Sequence, residues 1–133
     1  MLLITSYRTT PLEMNFFRLN ENLDYDDYKI LENEITYKQI IEYLKMNKQV
    51  LDFVHSRMET ISFTQEILKL AEINSEIGLF KINPEEYKKY SHLKITNKKI
   101  NELILYSIRF HNAGILRKYG NRIEFLFIEK ILK

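Results

Sequence analysis

Apolar residues recur at the spacing of one helical face in two long stretches of the chain. In the first, Tyr37, Ile40, Ile41, Leu44, Leu51, Val54 and Met58 form a stripe interrupted only at Asn47 and Lys48. Thr36 and Gln39 have capping-box spacing, with Ile35 and Ile40 placed as a hydrophobic staple, so the pattern predicts a long amphipathic helix over residues 36–58. In the second, Ile100, Leu103, Ile104 and Ile108, with Ser107 and His111 on the same line, predict a helix that starts at Thr96 and stops at Gly114. Ile115 to Tyr119 and Arg122 to Ile128 then flank Gly120-Asn121, a two-residue loop that suits a type II′ turn. In that hairpin Arg117 would face Glu124 and Leu116 would face Phe125, giving one wet face and one dry face.

Shorter signals fill the rest. Ser62 with Gln65 marks another helix start, with Phe63, Ile67, Leu70 and Ala71 facing inward and an end near Gly78. Leu79 to Ile82 reads as a short strand. Asn83-Pro84-Glu85-Glu86 opens a brief helix to Tyr90: the Asn caps, and Pro84 sits where its missing N–H is harmless. The N-terminal MLLITSY and the run Leu12 to Leu19 read as extended, separated by a break at Arg8 to Pro11. The expected fold class is α+β, mainly helical, in a single compact unit spanning 1–133. Its parts are an extended acidic segment (1–35), the long helix (36–58) and a C-terminal module (62–128).

Composition narrows the classes. With 133 residues, 45% of them hydrophobic, the chain is long enough to bury a core. It has no cysteine, which excludes disulfides and thiolate metal sites and suits a cytoplasmic protein. No apolar run approaches membrane-spanning length, and Met1-Leu2-Leu3-Ile4 is too short for a signal sequence. The abundance of Ile, Lys, Asn and Tyr hints at an A+T-rich coding sequence of the kind a phage or mobile element carries.

Charge changes the picture more. The net +2 divides into −5 over residues 1–76 and +7 over 77–133. Within 87–122 there are nine basic residues and one acid, Glu102. Such a field favours a polyanion, although an acidic protein surface, including the acidic half of a second copy in a homodimer, would also satisfy it.

Catalytic chemistry finds little support. Asn22, Asp24 and Asp26 mimic a calcium loop, but the sixth position is Asp27 rather than Gly and the twelfth is Asn33 rather than Glu, so a solvated turn is the better reading. His55, His92 and His111 lie in separate segments, and no Gly-rich phosphate loop occurs. The sequence therefore predicts a non-enzyme with no metal and no cofactor.

From residue 62 onward the predicted order is helix, strand, helix, helix, hairpin, which resembles the winged helix-turn-helix family. The likeness rests on Asn83-Pro84-Glu85-Glu86-Tyr87, on Ile95-Thr96 entering the third helix, and on Ala113-Gly114-Ile115-Leu116 leading into a wing from Arg117 to Arg122. If it carries function, the third helix enters the major groove of duplex DNA. Asn97, Lys98 and Asn101 would then read base edges, while Lys94, Thr96, Lys99, Arg117, Lys118 and Arg122 hold phosphates. The resemblance implies a small DNA-binding regulator of transcription. The alternative is a protein-docking module or a subunit of a larger complex on the same scaffold, with Leu105 and Tyr106 of the third helix covered by a partner.

Overall fold

The computed structural model describes residues 10–19, 22–90, 106–108, 117–130 and 132. The chain divides into two compact units, Met1–Leu31 and Glu32–Lys133. In the first, residues 10–19 take up neither helix nor strand, and Leu12, Met14, Phe16 and Phe17 are exposed. The predicted N-terminal strand over 1–7 lies outside the described residues.

Helix α1 (Tyr25–Lys45) begins eleven residues before the expected Thr36 start. The acidic turn is its N-terminus. Asp24 Oδ1 accepts from the Asp27 N–H at 2.9 Å, and Asp26 and Asp27 sit in the first turn, where the helix dipole favours anions. Thr36 is mid-helix, and its hydroxyl donates back to the Glu32 carbonyl at 2.9 Å. The expected inward face is there, with Tyr37, Ile40, Ile41 and Leu44 all buried.

The helix does not continue to residue 58. Asn47 has φ 55°, and the Asn47 and Lys48 amides donate to the Leu44 and Tyr43 carbonyls at 2.9 and 3.0 Å. This left-handed cap closes α1 at the polar break in the stripe, a position Asn tolerates better than other non-glycine residues. Helix α2 (Arg57–Ile73) starts afresh. Ser56 Oγ accepts from the Glu59 N–H at 3.2 Å, so the working cap is Ser56 with Glu59, six residues before the predicted cap at Ser62. Ser62 instead turns its hydroxyl back to the Met58 and Glu59 carbonyls. The same left-handed cap ends α2 at Ser75, with φ 57°.

A 3-10 turn (Ile77–Phe80) replaces the expected strand and delivers Phe80 to the core beside Ile67 and Ala71. Only Lys81 makes a β-type contact, an isolated antiparallel bridge to Tyr106, and the Ser107 N–H donates to the Phe80 carbonyl. Residues 106–108 are therefore not helical, which corrects the expected helix through Ile108 at its C-terminal part; its remainder lies outside the described residues. Helix α3 (Pro84–Tyr90) is where the sequence puts it, with Asn83 Oδ1 accepting from the Glu85 N–H at 3.0 Å.

Helix α4 (Arg117–Ile128) overturns the wing. Gly120 and Asn121 are helical, and no described glycine has the positive φ that a II′ turn needs. Ile123 and Leu126, three apart, are both buried, as is Leu132. A glycine inside a helix costs about 1 kcal/mol against alanine, whereas burying two aliphatic side chains gives back about 1.5–3 kcal/mol each, so the core decides. Mainly helical is thus correct, while among the described residues there is no strand beyond the single bridge.

Candidate functional site

Two arrangements in the unit Glu32–Lys133 carry chemistry. The first is a polar lock. Tyr37 on α1 donates its hydroxyl to Glu76 Oε2 at 2.5 Å, and Lys45 Nζ donates to Glu76 Oε1 at 2.8 Å. Glu76 is held there because it follows the Ser75 cap, its own N–H closing on the Ala71 carbonyl at 2.8 Å. The Lys45 ammonium, and then the Tyr37 hydroxyl, hold the Glu76 carboxyl below its ordinary range, while burial and the carboxylate push the Tyr37 phenol up. The trio ties α1 to the end of α2.

The second is an apolar cavity of about 560 Å³. Its lining draws on six stretches of chain: Ile40 and Leu44 of α1, the connection Val50 to Val54, Thr60, Phe63 and Thr64 of α2, Phe80, Ser107 with Ile108, and Ile123 with Phe127 of α4. Such a size is typical of a binding site. The Thr60 and Thr64 hydroxyls are turned to the Arg57 and Thr60 carbonyls at 2.6 and 2.7 Å. Ser107 differs: it is 1% exposed, and its Oγ has no hydrogen-bond partner. A clip closes one side, where the Gln49 amide donates to the Phe127 and Leu132 carbonyls at 2.6 and 2.8 Å.

The sequence-predicted site residues are not assembled into a wing. Lys94, Thr96, Asn97, Lys98, Lys99 and Asn101 lie outside the described residues. Arg117, Lys118 and Arg122 are in the first two turns of α4, not on a hairpin. Leu105 also lies outside the described residues; Tyr106 packs, half-buried, on the core. His55 is exposed, and the described residues contain no group of three His, Asp or Glu side chains placed for a metal. No described helix is long and apolar enough to cross a membrane. The cavity has no sequence signature: Leu51 and Val54, on its lining, fall within the expected long helix, and its walls meet only in the folded chain.

No family model matches the sequence. Individual proteins do. The chain is 32% identical over 130 residues to the RQC trigger complex helicase SLH1 of Saccharomyces cerevisiae, covering 96% of this chain and 7% of the yeast protein. It is 30% identical to the DExH-box ATP-dependent RNA helicase DExH14 of Arabidopsis thaliana, over 97% of this chain and 6% of that protein. It is 31% identical to the human U5 small nuclear ribonucleoprotein 200 kDa helicase, over 94% of this chain and 6% of the human protein. All three relatives are helicases. The chain therefore spans about one-fifteenth of the length of each relative it matches.

These relatives correct the functional expectation. The small DNA-binding transcription regulator is overturned, because the matching proteins are large helicases, one named for acting on RNA. The non-enzyme expectation falls for the same reason, since an ATP-dependent helicase is an enzyme. The misreading came from the supposed wing: without a hairpin at 117–122, the groove-reading geometry has no second anchor.

Proposed function

We propose that the chain works as part of an RNA helicase assembly, in which its basic half meets RNA phosphates and its apolar cavity meets neighbouring polypeptide. The observation that carries this reading is the alignment of nearly the whole chain with a short stretch of several large helicases. The subunit-of-a-larger-complex alternative is the better of the two sequence readings. It agrees with a cavity bordered by exposed Leu51, Phe53 and Ile128.

RNA takes the place of duplex DNA as the polyanion. Lys94, Lys98, Lys99, Arg117, Lys118 and Arg122 are the proposed phosphate contacts. Arg117 and Lys118 support this by opening α4, whose first turn carries no acid. Coupling to ATP would belong to the assembly, with this chain contributing RNA-facing charge and packing surface.

The test is fluorescence anisotropy with a labelled single-stranded RNA 20-mer and a matched DNA duplex at two salt concentrations. RNA affinity should exceed duplex affinity. Its logarithm should fall with log salt at a slope of roughly −2 to −3 if about four phosphates are engaged. Joint replacement of Lys118 and Arg122 by Ala should flatten that slope by about one unit or more. Absence of RNA binding at low salt, or preference for the duplex, would refute the reading.

A further inference from the structure

Four phenylalanines stand among the described residues of the cavity wall: Phe53, Phe63, Phe80 and Phe127. Rings meet rings in offset or edge-to-face pairs that gain beyond the area they bury, so a wall of this composition favours an aromatic guest over an aliphatic one. One atom in the wall adds a second demand. Ser107 is 1% exposed; its N–H donates to the Phe80 carbonyl, but its Oγ has no hydrogen-bond partner within the protein. A buried hydroxyl in that state is costly, and a guest that meets it removes the cost. The Thr64 hydroxyl makes no such demand, because it already donates to the Thr60 carbonyl at 2.7 Å. Charge is not called for. The described wall holds no Lys, Arg or His to accompany a buried anion, and its acids Asp52 and Glu124 each already interact with another group. The guest that fits is a neutral aromatic ring with one polar tip.

We propose that the cavity receives a tyrosine side chain carried by a neighbouring polypeptide of the assembly, its ring among the phenylalanines and its hydroxyl on Ser107 Oγ. This rests on the helicase-assembly reading above and names the group that the neighbour presents. Among polypeptide side chains the tip decides. A phenol oxygen both gives and takes a hydrogen bond, so it can accept the Ser107 proton; an indole N–H can only donate, and a phenyl ring does neither. The size agrees, since a cavity of about 560 Å³ holds such a ring with space for a flanking aliphatic group. The mouth suits a guest carried on a chain: Leu51, Phe53 and Ile128 are exposed there and leave apolar surface for the residues on either side of the tyrosine. The relatives have polypeptide to supply it, since more than nine-tenths of their length lies beyond the aligned stretch.

The experiment is an NMR titration of the full chain, read at the methyl groups of Ile108 and Ile123. The probes are p-cresol and toluene, which are the tyrosine and phenylalanine side chains without a backbone, and the capped tripeptides acetyl-Gly-Tyr-Gly-amide and acetyl-Gly-Phe-Gly-amide. With wild type, the tyrosine tripeptide should give saturable methyl shifts and bind several-fold more tightly than the phenylalanine one. Ser107→Ala should weaken p-cresol by about tenfold and leave toluene unchanged or slightly tighter. The tripeptide comparison uses wild type alone, so it stands whatever the stability of the variant. Equal binding of the two tripeptides, equal losses of p-cresol and toluene in Ser107→Ala, or no saturable shift with any probe would each overturn the proposal. Binding of p-cresol without the tyrosine tripeptide would make the cavity a small-molecule site and overturn it too. So would methyl shifts that grow with chain concentration in the absence of probe, which would mean that a second copy is the occupant. The outcome is separable from the helicase reading: failed RNA binding would leave the tyrosine result standing, and a failed tyrosine result would leave RNA binding standing.

Discussion

Replacing Tyr37 with Phe removes one hydroxyl from a side chain that is only 5% exposed, and with it the 2.5 Å hydrogen bond to Glu76. A hydrogen bond to a charged acceptor is worth about 1.5–3 kcal/mol. Glu76 keeps Lys45 as a partner and its side chain is 24% exposed, so the lower end applies: about 1.5 kcal/mol, or about 6 °C in Tm at roughly 4 °C per kcal/mol. The Lys45 contribution is smaller, because that side chain is 58% exposed and solvent screens the pair. Urea unfolding followed by circular dichroism at 222 nm reads the difference. A cycle with Glu76→Gln should assign most of it to the pair.

The deficit should also depend on pH in a stated direction. Glu76 titrates below its ordinary 4.5 when folded, so its stabilisation is present above that value and is lost as pH falls through the folded value. Tyr37 titrates above its ordinary 10.0, so its stabilisation holds below pH 10 and is lost as pH rises beyond it. Tyr37→Phe lacks the Tyr37 dependence and keeps only the part of the Glu76 dependence that Lys45 provides. The gap between wild type and variant should therefore be widest from about pH 5 to 9 and narrow at both ends. A variant within 0.3 kcal/mol of wild type at pH 7, or a gap unchanged at pH 3, would refute the lock.

Other substitutions probe the caps and the clip. Gln49→Ala removes two hydrogen bonds to the end of α4 and should cost about 1–2 kcal/mol; a midpoint in urea equal to wild type would show the clip to be idle. Lys130 sits at φ 58°, so Lys130→Gly should stabilise by about 0.5–1 kcal/mol, and a lower Tm would contradict the left-handed geometry. Ser56→Ala should destabilise by about 1 kcal/mol while Ser62→Ala changes little; the reverse ranking would return the start of α2 to residue 62.

Local chemistry was legible where one signal had one meaning. Asn83-Pro84 could open a helix and little else, and it does. The stripe Tyr37, Ile40, Ile41, Leu44 was read correctly because four positions agree on one face. Ambiguity entered where two readings share a pattern. Leu51, Val54 and Met58 extend that stripe in phase, so the chain break at Asn47 looked like a polar gap rather than a left-handed cap. Gly120-Asn121 satisfies a hairpin locally, and only the burial of Ile123 and Leu126, a tertiary fact, makes it helix. Strand-like alternation and helix-like spacing coexist in 115–128, and short windows cannot separate them. The cavity was not legible, since Phe80, Ser107 and Ile123 join the wall made by α1, α2 and their connection only in the folded chain. The charge asymmetry was visible from the start, but charge alone does not tell RNA from DNA.

The Gln49 clip has a consequence for the order in which this unit acquires its shape. Its two bonds span 78 and 83 residues, against 39 for the Tyr37–Glu76 lock. Doubling a loop adds only about 0.6 kcal/mol of closure entropy, so thermodynamics barely distinguishes the two. Synthesis does. The lock needs nothing beyond Glu76 and can form while the remaining two-fifths of the chain is still on the ribosome, whereas the clip must wait for Leu132. Until then the Ile40 and Phe63 side of the cavity lacks the α4 wall that Ile123 and Phe127 supply, and a nascent chain in that interval would be a natural client for a chaperone.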